Sequence, residues 1–541
     1  MKTQNNFSFL SHPLNKLLRI GAICFPLLAC NSLEPLSDAK TLQGLVQERN
    51  VLANADVFIT DHRGNTWRTT TDTQGRYTFS LPRASLPPFT LTAVSESGRL
   101  ADCVRNDVLR PICLVASVLE DAPVITANIN PLSDRVASDY AKYLNVQGPQ
   151  QLFALTEPYV ISTQQQEQAL TWVQKSFGEA LRELGIIQVE KFNPTTNEQI
   201  SKNQLDPLFS LLNHNRNYDN TTGLTGHTTL TDSRFKPIVG LFHGGHYEVF
   251  DLTAAQNQAK KIEQAKTRIF IVGDSTSAMY EHLRFPRMGW GEAFMQAFSH
   301  LDDVAVVVGS RAGRSSRDFY NGRWFAQMET MIRKGDIVFI NHGHNDQNCD
   351  QARAIRGQAD VTNLCTYPNS PDGTLQHPHN QPEMSFDNSL MRYVNIAKAR
   401  GAQPILFTPS ARILNKNRQQ QLPVSSNHFT KPQPQKDYAF TGDYAQTIRQ
   451  IAARENLPLI DLERESMAFA NQLTGNQWWD YWLVVDPSVN SYYANGAAGS
   501  PQSPDGTHFQ EKGAKVMANL VAQQIKQDPT LADLSKILLL K

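Results

Sequence analysis

From Thr267 onward, short runs dominated by apolar residues alternate with stretches of helical period, and few folds accept that pattern. The runs are Arg268 to Val272, Val304 to Val308, Ile337 to Ile340, Pro404 to Phe407 and Leu457 to Leu462. A strand without a polar face must be buried on both sides, which requires helices above and below it. Stretches such as Gly291 to Ser299 and Asn388 to Arg400 can supply those helices. The pattern predicts an α/β/α three-layer domain over residues 266–541, built on a parallel sheet of about five strands. Ligands of such a sheet bind beyond the carboxyl ends of its strands.

Three polar segments stand at those ends. Gly273-Asp274-Ser275-Thr276 follows the first run, Ala312-Gly313-Arg314-Ser315 the second, and Gly343-His344-Asn345-Asp346 the third. A further segment, Asp505-Gly506-Thr507-His508, precedes a helix expected over Gln510 to Ile525. A serine hydroxyl turns nucleophilic when a base takes its proton, and Ser275 is expected at a strand end where a helix begins. His508 is a suitable base, and Asp505 is close enough in the chain to orient its ring. The backbone N–H groups of Ser275 and Gly313 and the side-chain amide of Asn345 are candidate donors to a developing oxyanion. Each segment also has a plain structural reading. Ser275 can cap a helix, Gly313 can make a turn, Asn345 an Asx turn, and His508 can stand exposed after an Asp-Gly turn. His342, His344 and Asp346 can be drawn as a metal cluster, but alternate positions at a strand end point to loop hydrogen bonding. His243-Gly244-Gly245-His246 reads as a turn, so neither a metal nor a cofactor is expected.

The first half of the chain has a different grammar. Lys2, Lys16 and Arg19 precede a short apolar stretch from Ile20 to Ala29. Leu27-Leu28-Ala29-Cys30 resembles a bacterial lipobox. That resemblance implies a signal peptide over residues 1–29, lipidation of Cys30, and attachment to a membrane through an N-terminal lipid anchor. Asn31 after Cys30 implies the outer membrane or cell surface. A plain secretory signal cut nearby is the alternative. Residues 30–40 form a tether. Cys103, Cys113, Cys349 and Cys365 fall into two local pairs, and an exported chain favours disulfides Cys103–Cys113 and Cys349–Cys365. Period-two alternation between turns predicts a small β-sandwich over residues 41–128. Its Asp72, Gly75, Tyr77 and Phe79 resemble the signature of carboxypeptidase regulatory-like domains. Residues 129–265 are expected to be mainly helical, ending in a linker. There Leu170, Val173, Phe177, Ala180, Leu181 and Leu184 make one apolar stripe within Gln166 to Leu184, whereas Asn215 to Ser233 is polar and turn-rich. Lys plus Arg and Asp plus Glu both number 51, so the chain lacks the basic balance of a nucleic-acid binder. No apolar run is long enough to span a membrane as a helix.

The four polar segments resemble the conserved blocks of the SGNH (GDSL-type) hydrolases. The rhamnogalacturonan acetylesterase branch is similar at further positions: Thr276 where lipases of the family carry Leu, Gly289-Trp290-Gly291-Glu292, Ser316-Arg317, Gly335-Asp336 and Gly513-Ala514. The resemblance spans roughly residues 267 to 527. It implies Ser275 as nucleophile, His508 as base, Asp505 as its orienting acid, and Ser275, Gly313 and Asn345 as the oxyanion hole. It also implies an acetylated carbohydrate as substrate. Two stretches depart from the family pattern: Gln347 to Ser385 is long, and Gln477 to Asn495 is rich in aromatic residues. Trp290, Trp478, Trp479 and Trp482 are expected to contact sugar rings, with plain core packing as the alternative. Two other functions fit part of the pattern, a general short-chain or lipid esterase and a surface-binding protein without chemistry. Neither the sugar nor the oligomeric state is legible.

Overall fold

Five parallel strands form the central sheet, in the spatial order Val304–Val308, Thr267–Gly273, Ile337–Asn341, Gln403–Phe407 and Leu459–Ile460. Every neighbouring pair is parallel. Side chains alternate across the strands, as pleating requires. Ile269, Ile271, Val306, Phe339, Ile405 and Phe407 enter one core with the Trp290–Ala297, Leu462–Ala470 and Glu511–Gln527 helices. Phe270, Val272, Val307, Val338, Ile340 and Leu406 enter the other, with the Phe386–Ala399, Tyr444–Glu455 and Trp324–Glu329 helices. Two apolar faces explain why the runs carry no polar alternation. The order of the strands reverses beside Thr267–Gly273, which opens a crevice at its carboxyl end. The structure, a computed structural model, describes residues 39–96, 98–105, 108–155, 158–217, 227–238, 247–347, 365–415, 419–430 and 440–538.

Ahead of this unit, a three-stranded and a four-stranded sheet face each other. Lys40–Leu45 lies between Arg76–Leu81 and Val124–Thr126 in one; the other runs Thr66–Thr70, Asp56–Thr60, Phe89–Val94, Cys113–Val118. Leu42, Leu81 and Ile125 of the first sheet share a core with Val57, Leu91 and Ala116 of the second. Asp72 holds the turn before Arg76–Leu81, its carboxylate accepting from the N–H groups of Gln74 and Arg76 at 2.8 Å. Cys103 and Cys113 are bonded, as expected. Cys365 is also in a disulfide. Its expected partner Cys349 lies outside the described residues, as do Cys30 and the His243–His246 segment.

The region 129–265 is only partly helical. Thr163–Glu183 forms the expected helix and buries Val173, Phe177, Ala180 and Leu181, together with Trp172. Asn213–Asn217, His227–Thr231 and Pro237–Ile238, however, form a three-stranded antiparallel sheet. Its polar side chains are buried because a carboxylate is buried with them. Asp134, in the first turn of the Pro131–Tyr143 helix, accepts from Arg216, from His214 Nε2 at 2.8 Å and from Thr228 Oγ1 at 2.6 Å. Burial pushes the Asp134 carboxyl up, but Arg216 and His214 outweigh that and hold it below the usual carboxylate range.

Candidate active site

The chain leaves the Thr267–Gly273 strand into a tight turn, not a helix; the next α-helix is Trp290–Ala297. Helix-terminus amides are therefore not what surrounds Ser275. The turn is built by Asp274. Its Oδ1 accepts from the Thr276 N–H at 3.0 Å and the Thr276 hydroxyl at 2.8 Å. Its Oδ2 accepts from the His344 N–H at 3.2 Å and lies 3.3 Å from His344 Nδ1. One buried carboxylate thus ties the Ser275 turn to the Asn345 loop. Burial pushes Asp274 up, yet His344 and the hydrogen bonds prevail and keep it ionised well below the usual range. Gly289 lets the Trp290–Ala297 helix start hard against the same turn, for a Cβ there would stand 2.3 Å from the Ala278 carbonyl oxygen. Tyr280 adds a further hold, its hydroxyl donating to the Ser275 carbonyl at 2.6 Å. Neither this tyrosine nor the Asp274–His344 clamp carries a sequence signal of its own.

His508 does not begin a helix. Asp505–Gln510 is a short strand between Arg287–Met288 and Trp482–Leu483, and the last long helix starts after it. This strand brings His508 Nε2 to 2.8 Å from Ser275 Oγ. Its Nδ1 lies 2.6 Å from Asp505 Oδ2. Asp505 Oδ1 accepts from the N–H groups of Thr507 at 2.9 Å and His508 at 3.2 Å, so the carboxylate cannot rotate freely. Burial raises the Asp505 carboxyl, but His508 and Arg287 outweigh it and hold it below the usual range. Burial and the nearby Arg287 guanidinium lower the His508 imidazole from its ordinary 6.5, and His344 adds to this, while Asp505 pulls the other way. The arrangement can take a proton from Ser275 at Nε2 while Nδ1–H stays bonded to Asp505.

The Ser275 turn is tied to the Asn345 loop through Asp274, and Asn345 in turn bonds the Arg314 carbonyl beside Gly313. Among the described residues, the N–H groups of Ser275 and Gly313 donate to no other group. Ser275 is buried, and buried amides are rarely left so, which marks its N–H as available to a ligand; Gly313 is only half-buried. Gly313 has φ +77° with open space where a Cβ would point, so glycine both permits the left-handed backbone and clears the approach. Asn345 gives one amide hydrogen to the Arg314 carbonyl at 3.2 Å, which orients the group and leaves its second N–H.

The tryptophans are placed otherwise than expected. Trp290, Trp478 and Trp482 are buried in the core, with at most 2% of their surface exposed. Trp290 stacks on Phe407 and donates to Asn341 Oδ1; Trp482 packs on Phe469 and Phe509. A sugar cannot reach these faces, and only Trp479 keeps part of its ring exposed. His342 likewise takes no part in loop hydrogen bonding. It packs between Phe319 and Tyr393, neither nitrogen has a hydrogen-bond partner among the described residues, and burial lowers its pKa to about 4.

Residues 269–521 match the family model of GDSL-like lipases and acylhydrolases. Over 260 residues the chain is 28% identical to the probable rhamnogalacturonan acetylesterase YesY of Bacillus subtilis, covering 48% of this chain and 92% of that one. It is 24% identical over 260 residues to rhamnogalacturonan acetylesterase RhgT of the same organism, covering 48% and 90%. A crystal structure of the Bacillus subtilis protein YXIM aligns with 59% of this chain and 76% of its own, at 19% identity and a TM-score of 0.34. With that family match and these esterase relatives, residues 269–521 are a GDSL/SGNH hydrolase domain, and the chain that carries it is a carboxylic ester hydrolase.

Proposed function

We propose that the chain is a serine esterase that removes O-acetyl groups from an acetylated carbohydrate of the rhamnogalacturonan type. The observation that carries this is the line Asp505, His508, Ser275 at the carboxyl end of the parallel sheet. The two rhamnogalacturonan acetylesterases among its relatives support the choice of ester. Ser275 Oγ attacks the acetyl carbonyl carbon while its proton passes to His508 Nε2. The tetrahedral oxyanion is held by the N–H groups of Ser275 and Gly313 and by the Asn345 amide. His508 then returns the proton to the departing sugar oxygen as the C–O bond breaks, leaving acetyl-Ser275. Water, deprotonated by the same ring, hydrolyses that ester and releases acetate.

This scheme sets a pH dependence. His508 works as the neutral base, and burial with Arg287 keeps it neutral below its ordinary 6.5. We expect kcat/KM to hold from about pH 8 down past pH 6.5 and to fall on the acid side below that. A fall centred above 6.5, or none down to about pH 4, contradicts the assignment.

Acetate release from acetylated rhamnogalacturonan, acetylated xylan and long-chain esters tests the substrate class. The expected outcome is acetate from the pectic polymer at the highest kcat/KM. Release of fatty acid without acetate would refute the carbohydrate reading in favour of a lipid esterase.

A further inference from the structure

The carbonyl of Ser275 hangs on one side chain. The peptide between Ser275 and Thr276 is pinned at both ends: its N–H donates to Asp274 Oδ1 at 3.0 Å, and its carbonyl accepts from the Tyr280 hydroxyl at 2.6 Å. Among the described residues no other group donates to that carbonyl. A peptide is planar, so fixing this plane fixes the torsion about the Ser275 Cα–C bond and, with it, where Cβ and Oγ stand on the turn.

Tyr280 is itself held. It is buried, and its N–H donates to Glu292 Oε2 at 3.4 Å. The Arg287 guanidinium lies over its ring, with the central carbon 4.3 Å from the ring centroid, and Nη2 donates to its hydroxyl at 3.2 Å. A hydroxyl that accepts from a cation donates more strongly in turn. Through its main chain, Arg287 also belongs to the strand pair that carries the base, for it pairs with Gln510, two residues beyond His508. One residue therefore meets the nucleophile's turn with its side chain and the base's strand with its backbone. Arg287 is a costly choice for packing alone. Its Nε is buried without a partner, and no carboxylate forms an ion pair with it among the described residues. An apolar side chain of similar length would fill the place without that cost, so stability does not account for the arginine.

We propose that Tyr280, held by Arg287, is a positioning residue for the reaction: the pair locks the Ser275–Thr276 peptide and thereby sets the approach of Ser275 Oγ to His508 Nε2. The proposal rests on reading Ser275 as the nucleophile and His508 as its base. A nucleophile free to drift from its base spends less time in reactive geometry, which lowers kcat and leaves ground-state binding alone.

The test is a double-mutant cycle on the full chain with a short acetyl ester, near pH 8, where His508 is neutral with or without the Arg287 charge. Tyr280→Phe removes one oxygen and keeps the ring under the guanidinium. It is expected to lower kcat about tenfold at unchanged KM. Arg287→Met alone is expected to lower kcat about threefold, and by less than about 1.5-fold once Tyr280→Phe is present, because no hydroxyl remains to be held. An unchanged kcat for Tyr280→Phe, a loss that appears in KM instead, or equal effects of Arg287→Met in the two backgrounds overturns the inference and leaves the Ser275 reading standing. Full turnover by Ser275→Ala overturns that reading and the inference with it. Should Tyr280→Phe fail to fold, Arg287→Lys is compared with Arg287→Met. Lysine keeps a donor for the hydroxyl and is expected to restore most of kcat; Arg287→Lys no faster than Arg287→Met overturns the inference.

Discussion

Ser275→Ala is expected to lower kcat on p-nitrophenyl acetate by about 10⁴-fold or more. The Oγ is the only heavy atom removed, and its one hydrogen bond among the described residues runs to His508 Nε2. The turn is held by Asp274, Thr276 and Tyr280, none of which uses that hydroxyl. Stability should therefore change by no more than about 1 kcal/mol, and thermal melting will show whether a loss of rate is chemical. Residual turnover from the oxyanion donors alone is compatible with the scheme. Turnover equal to that of the parent chain would remove Ser275 from the mechanism. If neither chain turned over a range of esters, the hydrolase domain would have to be read as a binding module.

Asp505→Asn is expected to cost about 10³–10⁴-fold in kcat with the fold intact, for a reason written in the hydrogen bonds. Oδ1 accepts from two backbone N–H groups, those of Thr507 and His508. In asparagine that position must remain the oxygen, which turns the NH₂ toward His508 Nδ1. The ring then presents a lone pair at Nδ1 and carries its proton on Nε2, facing Ser275. A histidine in that tautomer cannot accept the serine proton. The charge that stabilises the imidazolium is lost in the same change. Measured near pH 8, a loss smaller than about tenfold would show that Asp505 does not set the tautomer.

The parallel sheet was legible because its signal is local. Each run had to be buried on both faces, and the expected Val304 to Val308 coincides with the strand. The order of the strands was not legible, since apolar runs of similar composition do not specify their neighbours. Asn213–Asn217 escaped for the opposite reason. Its sequence has no apolar period, and it is buried only because Asp134, far away in the chain, supplies the charge its polar residues need. The tryptophans show the limit of composition. An aromatic cluster can face sugar or core, and packing against Phe407, Phe469 and Phe509 sends Trp290 and Trp482 inward, while Trp478 is buried in the same core.

The chemistry-bearing residue types and their places at strand ends follow from the order of residues alone, because strand ends, turns and caps depend on near neighbours. Their meeting does not. Ser275 and His508 stand 233 positions apart, and only the pairing of Asp505–Gln510 with Arg287–Met288 and Trp482–Leu483 brings one to the other. Likewise, the composition of residues 39–265 announces a sandwich and a helix but nothing of where they rest. The tertiary structure sets Arg110 against the Ser316–Asn321 helix, where its N–H donates to the Asn321 carbonyl at 3.1 Å, since a buried backbone donor must find its acceptor in whichever segment packs on it.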